Sequence, residues 1–115
     1  MKIAVIGSRN VEVTNLAEYL PQECDEIVSG GARGVDLCAS QYARERGLKL
    51  TEFLPQYNVY GKAAPIVRNK EIASYADEVI AFWDGASRGT LSVINYCKKI
   101  GKPCRIVLMD ATPFS

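Results

Sequence analysis

The chain has no histidine, which removes imidazole both as an acid–base group and as a metal ligand. Cysteine is sparse. Cys24, Cys38, Cys97 and Cys104 are scattered, with no C-x-x-C pair, so the thiols read as reduced and structural rather than as a zinc site or a disulfide frame. Neither sign of charge dominates: 14 basic and 13 acidic residues leave a net charge of +1. That balance gives no reason to expect non-specific binding to DNA or to an acidic membrane. The apolar runs are a few residues long, far short of a membrane span, and the chain opens directly on a strand-like run without a signal-peptide core. A cytoplasmic protein is therefore expected. Neither G-x-G-x-x-G nor G-x-x-x-x-G-K-[ST] occurs, which disfavours a conventional dinucleotide fold and a P-loop NTPase. No metal and no cofactor is implied.

What is present is an ordinary globular composition: 115 residues, 48% hydrophobic and 23% charged, enough for one domain over residues 1–115. Apolar runs alternate with helical periods. Strands are expected at Lys2–Ile6, Glu26–Ser29, Lys49–Leu54, Glu78–Trp83 and Cys104–Met109. Four helical stretches lie between them. The first aligns Val13, Leu16, Ala17 and Leu20, and the second Val35, Cys38, Ala39, Tyr42 and Ala43. The third starts near Pro65 and lines up Ile66, Asn69, Ala73 and Ala76; the fourth aligns Thr90, Val93, Ile94, Cys97 and Ile100. Gly47 and Gly101 sit where helices stop. This alternation predicts an α/β, Rossmann-like open parallel sheet of five strands with helices on both faces. The order 3-2-1-4-5 is preferred over 2-1-3-4-5 because it brings the loops after strands 1, 2 and 4 to the central crevice, where such sheets bind ligands.

Those three loops have ligand-directed compositions. Gly7-Ser8-Arg9-Asn10 reads either as part of a site or as a simple turn in which Asn10 caps a helix. Ser29-Gly30-Gly31-Ala32-Arg33-Gly34-Val35-Asp36 carries three glycines and an arginine where a strand gives way to a helix. Glycines let the backbone approach a ligand closely, the helix start offers free N–H groups to a phosphate, and Arg33 adds a planar donor fork. Asp36 either meets the helix dipole or holds a ribose hydroxyl. The third loop, Trp83-Asp84-Gly85-Ala86-Ser87-Arg88-Gly89-Thr90, is of the same kind, with Ser87 doubling as an N-cap candidate. The long connection Leu54–Ala64 holds Tyr57, Tyr60, Gly61 and Lys62, and reads equally as a lid, a base-stacking surface or a dimer interface. In Arg68-Asn69, the polar Asn69 falls on an apolar stripe and needs a partner: a loop carbonyl or the crevice.

With these residues the chain resembles the SLOG superfamily, which joins DprA-like DNA-processing proteins to the Lonely-guy nucleotide hydrolases. Ser29–Asp36 is similar to the DprA glycine motif, and Arg68-Asn69 to its arginine–asparagine pair. Tyr60-Gly61-Lys62-Ala63-Ala64 leading to Arg68-Asn69 is closest to the small YspA/YpsA-like branch. The resemblance implies a Rossmann-like domain that binds a nucleotide or nucleotide-derived signal, and relatives that often dimerise. The hydrolases cleave the N-glycosidic bond of nucleoside monophosphates with an arginine, matched by Arg68, and a glutamate shortly after Gly-Thr. Here Gly89-Thr90 is followed by Leu91-Ser92-Val93, so the glutamate is absent. Asp36 or Asp84 is a candidate substitute that nothing in the sequence requires, which disfavours hydrolysis and leaves binding intact.

The expected function is binding of a nucleotide or nucleotide-derived small molecule at the C-terminal edge of the sheet, as a sensor. Contacts are expected from Gly7, Ser8, Arg9, Gly30, Gly31, Arg33, Gly34, Asp36, Lys62, Arg68, Asn69, Asp84, Gly85, Ser87, Arg88, Gly89 and Thr90. The alternative is an N-glycosidase acting on nucleoside monophosphates. Single-stranded DNA binding is disfavoured by the balanced charge.

Overall fold

The computed structural model describes residues 1–31 and 34–109. Arg33 and the tail after Met109 lie outside the described residues. The expected five strands form: β1 (Lys2–Gly7), β2 (Glu26–Ser29), β3 (Lys49–Glu52), β4 (Glu78–Trp83) and β5 (Cys104–Leu108). All four pairings are parallel, and the order is β3-β2-β1-β4-β5. β1 lies between β2 and β4, with Ala4 opposite both Val28 and Val79. Its residues Ile3, Ala4, Val5 and Ile6 are all buried, as a central strand covered on both faces requires.

Four helices accompany the sheet: α1 (Val35–Arg46), the short α2 (Tyr57–Tyr60), α3 (Ala64–Tyr75) and α4 (Arg88–Ile100). They cover both faces, and each face has its own core. Ile3, Val5, Ile27, Ile80 and Phe82 meet Val35, Ala39 and Ala43 of α1 on one side. Ala4, Ile6, Val28, Val79 and Ala81 meet Ile72 and Ala73 of α3 and Val93, Ile94 and Cys97 of α4 on the other. Burying one of the larger aliphatic or Phe side chains contributes about 1.5–3 kcal/mol. α1 and α4 stop at Gly47 and Gly101, both left-handed. No described helix is long and apolar enough to cross a membrane.

Several local expectations are corrected. The first helical stretch is not an α-helix; only a 3-10 turn at Leu16–Glu18 forms there. Val11, Val13 and Leu16 are buried against the α1 side of the sheet, whereas Ala17 is exposed. Two β-branched valines and Thr14 disfavour a helix, and Asn10 and Asn15 compete for the backbone. Packing of three apolar side chains is retained without the helix. In α3, Ile66 is 50% exposed while Ala64, Ile72 and Ala73 are buried. Ile72 and Ala73, in the C-terminal half of α3, join the core on its face of the sheet. The Leu54–Ala64 connection is not plain loop: it holds α2 and a 3-10 turn, Gly61–Ala63. Ile100 is 41% exposed, because the last turn of α4 runs past the sheet. All four cysteines are free, with Cys97 buried as expected but Cys38 only half-buried.

One buried carboxylate anchors the far edge of the sheet. Glu26, at the start of β2, accepts hydrogen bonds on Oε2 from the Tyr75 hydroxyl at 2.5 Å and the Thr51 hydroxyl at 2.9 Å. Its Oε1 lies 3.7 Å from Lys49 Nζ. Burial pushes this carboxyl up, but the bonds from Tyr75 and Thr51, with Lys49 and Lys2 nearby, outweigh it and hold Glu26 below its ordinary value.

Candidate functional site

The strand order places a topological switch between β1 and β4, and a cleft of about 390 Å³ opens above it. Its size is within the ordinary range for small-ligand sites. The end of β1 contributes Ile6, Gly7, Arg9 and Asn10, and α1 contributes Asp36. α3 contributes Pro65, Arg68, Asn69 and Ile72, while Ser87, Gly89, Thr90 and Val93 come from the start of α4.

The β1 and β4 loops are stitched together. The Ser8 amide donates to the Phe82 carbonyl at 3.1 Å, and the Asp84 amide donates to Ser8 Oγ at 3.2 Å. Asp84 Oδ1 in turn accepts from the Ala86 and Ser87 amides at 2.9 and 2.8 Å. Those two backbone donors hold the Asp84 carboxyl below its usual range, with help from Ser8 and Asn10. Asp84 Oδ1 is therefore committed to its own turn. Ser87 caps α4 without a side-chain bond to the first-turn amides; its hydroxyl instead accepts from Thr90 Oγ1 at 3.4 Å. The positive end of α4 is thereby presented to the cleft.

Across from it stands Arg68, fixed by two bonds. Its Nη1 donates to the Gly30 carbonyl at 2.8 Å and its Nε to Asn69 Oδ1 at 2.9 Å. Asn69 thus finds its partner in the neighbouring guanidinium while also lining the cleft. A guanidinium has five N–H donors, so Arg68 keeps donors beyond those two bonds. Gly30 makes this seat possible, since a Cβ there would lie 2.6 Å from Nη1 and 2.9 Å from Asp36 Oδ2. Glycine at position 30 thus leaves room for both the Arg68 guanidinium and the Asp36 carboxylate. Asp36 is 6% exposed, and its carbonyl accepts from Ser29 and Ser40 hydroxyls at 3.3 and 3.1 Å.

Of the residues expected at the site, Gly7, Arg9, Asp36, Arg68, Asn69, Ser87, Gly89 and Thr90 line the cleft together. Ser8, Gly30 and Asp84 stand behind it, holding backbone or guanidinium in place. Gly31 approaches Leu54, and Gly34 packs beneath the Arg9 carbonyl. Lys62, Gly85 and Arg88 are exposed and outside the cleft wall. Arg33 lies outside the described residues. Ile6, Asn10, Pro65, Ile72 and Val93 line the cleft without having been singled out as ligand-directed. Helical spacing points to two of them: Ile72 is one turn beyond Arg68, and Val93 one turn beyond Thr90.

No protein-family model matches the chain, and no curated protein is similar to it in sequence.

A second groove of about 580 Å³ runs between residues 12–17 and α1, with Glu12, Glu45 and Arg46 on its walls. It is larger, but it lies along the side of α1, away from the β1–β4 switch. The cleft at the strand ends is the better site, because two arginines and a helix N-terminus share its lining.

Proposed function

We propose that this chain binds a nucleotide or nucleotide-derived small molecule in the cleft above β1 and β4, as a sensor. One observation carries the reading: Arg9 and Arg68 converge with the first turn of α4 on a single cleft. Together they suit a phosphate, through charge, a planar donor fork and backbone amides. Ile6, Pro65, Ile72 and Val93 supply an apolar wall fit for the face of a base. Asp36 and Asn69 supply the polar groups that a ribose requires. The SLOG-like motifs point the same way.

A thermal-shift panel of nucleoside mono-, di- and triphosphates, ADP-ribose and cyclic nucleotides tests this. A ligand at a hundred times its Kd stabilises by about 2.7 kcal/mol, a shift on the order of 10 °C for a domain of this size. Arg68→Ala removes charge-assisted bonds of about 1.5–3 kcal/mol, so Kd should rise roughly 10- to 150-fold. A flat panel, or unchanged affinity in Arg68→Ala, overturns the reading.

A second reading is favoured by a single observation. Among the described residues, Asp36 is the only carboxylate that lines the cleft, which Arg68 also lines. In an N-glycosidase acting on nucleoside monophosphates, Asp36 would activate water for attack on the anomeric carbon. The glycosidic bond would break with its electrons going to the departing base, which takes up a proton. Release of free base by the wild type, lost in Asp36→Asn with nucleotide binding retained, supports it. Absence of free base with every nucleotide that binds rejects it.

A further inference from the structure

β5 pairs with β4 on one side and has no strand beyond it among the described residues. A strand in that position turns alternate backbone groups outward. The inward set is fixed at both ends of β5. The Val79 amide donates to the Pro103 carbonyl at 3.0 Å, and the Met109 amide to the Trp83 carbonyl at 2.8 Å. Arg105 and Val107 keep that phase, so Cys104, Ile106 and Leu108 present their N–H and C=O groups to the outside. Their side chains share one face of the sheet. Cys104 packs on the core there, but Ile106 is 42% and Leu108 71% exposed.

The opposite edge is built differently. β3 carries exposed charges at both ends, Lys49 and Glu52, with Leu50 and Thr51 half-buried between them. Native sheets use such charges to keep an edge from pairing with another chain. β5 has a single charge, Arg105, on the face opposite to Ile106 and Leu108. Its Nη1 donates to the Tyr19 carbonyl of its own chain at 3.2 Å.

We propose that β5 is a homodimer interface: two copies pair their β5 strands antiparallel about a two-fold axis at Ile106, continuing one sheet through both. A second copy is the occupant because β5 complements itself. With Ile106 opposite the partner's Ile106, Cys104 falls opposite the partner's Leu108, and every outward-facing residue of β5 gains a paired neighbour. Each such pair exchanges both its hydrogen bonds. The side chains that meet across the axis on this face are apolar, which favours the pairing. On the other face Arg105 falls opposite the partner's Val107. An axis at Arg105 would instead oppose two arginines and carry Leu108 past the start of the partner's strand. Hydrogen bonding and charge therefore select the same register. Nothing in this proposal depends on what the cleft binds.

The test is sedimentation of the full chain in dithiothreitol, from about 1 μM to about 1 mM, the range in which small interfaces associate. The wild-type mass should rise from one chain to two. Ile106→Lys and Ile106→Glu each set like charges face to face on the axis and should stay at one chain throughout. An equimolar mixture of the two variants should recover the two-chain mass, since lysine then faces glutamate. If either variant fails to fold, hydrogen exchange on the wild type decides. The Ile106 and Leu108 amides should then slow with concentration, while those of Lys49–Glu52 do not. A one-chain mass for the wild type across the range overturns the proposal and leaves the edge to residues 110–115 or to a different protein. A dimer that survives Ile106→Lys, a mixture that stays at one chain, or exchange at Ile106 that ignores concentration overturns it as well.

Discussion

Alanine at Gly30 and alanine at Gly34 should damage this protein in different ways, although the two sites share one loop. Gly30 is not among the glycines with positive φ. A Cβ there would lie 2.6 Å from Arg68 Nη1, 3.1 Å from its Cζ and 2.9 Å from Asp36 Oδ2. All three atoms belong to side-chain ends that can swing away. The fold then loses little more than the 2.8 Å bond from Arg68 to the Gly30 carbonyl, about 1.5 kcal/mol at this partly exposed guanidinium. That corresponds to roughly 5–10 °C in Tm for a domain of this size. The cleft loses more, because Arg68 is pushed off its seat. Forfeiting one charge-assisted bond to an anion should raise Kd roughly 10- to 150-fold.

Gly34 presents the opposite case. Its φ of 73° and ψ of −124° suit glycine alone, and a Cβ would lie 2.5 Å from the Arg9 carbonyl oxygen and 2.8 Å from that of Ser8. These are backbone atoms of the β1 loop and cannot swing aside. Backbone strain and overpacking together should cost at least about 3 kcal/mol. Urea melts of both variants give the stability arm without any ligand, and calorimetric titration with the strongest nucleotide from the panel gives the other. The reasoning fails if Gly30→Ala destabilises as much as Gly34→Ala, or if Gly30→Ala binds like the wild type.

Two more outcomes follow from groups outside the glycine loop. Tyr75→Phe removes a bond to buried Glu26 and should cost about 1.5–3 kcal/mol at pH 7. Because Glu26 is held below its ordinary value in the fold, its contribution is present above the unfolded pKa of about 4.3 and is lost as pH falls through the folded value. The variant's deficit should therefore shrink in urea melts at pH 3, and an equal deficit at both pH values would refute this. Asp84→Ala strips the acceptor from the Ala86 and Ser87 amides and should cost about 1 kcal/mol. It should also blunt the ligand-induced thermal shift by loosening Ser87; a variant matching wild type in both respects sinks that role.

The sheet order was legible because three strands end in loops rich in glycine, arginine and hydroxyls, and only one of the two common orders puts all three at the centre. The stops at Gly47 and Gly101 were legible from residue type. The first crossover was not, because Val13 and Leu16 mimic a helical period while burying their side chains from a loop. α3 misled in another way. Ile66 and Asn69 share a stripe in sequence, but Ile66 is half exposed while Asn69 lines the cleft and accepts from Arg68.

The two acids were indistinguishable in sequence, each lying in a glycine-containing loop at a helix start. Backbone geometry separates them. Asp84 is followed within three residues by amides at Ala86 and Ser87, and its Oδ1 accepts from both. Asp36 lies within the first turn of α1 and lines the cleft, as Asp84 does not. With Leu91-Ser92-Val93 following Thr90, no glutamate stands near the start of α4. Any chemistry at this cleft that needs a carboxylate therefore narrows to Asp36. The proposed binding does not share that dependence, because it rests on Arg9, Arg68 and the first turn of α4 rather than on Asp36. Asp36→Asn is accordingly the variant that separates a receptor from a hydrolase. A receptor should tolerate it with a modest change in affinity, and a hydrolase should lose turnover.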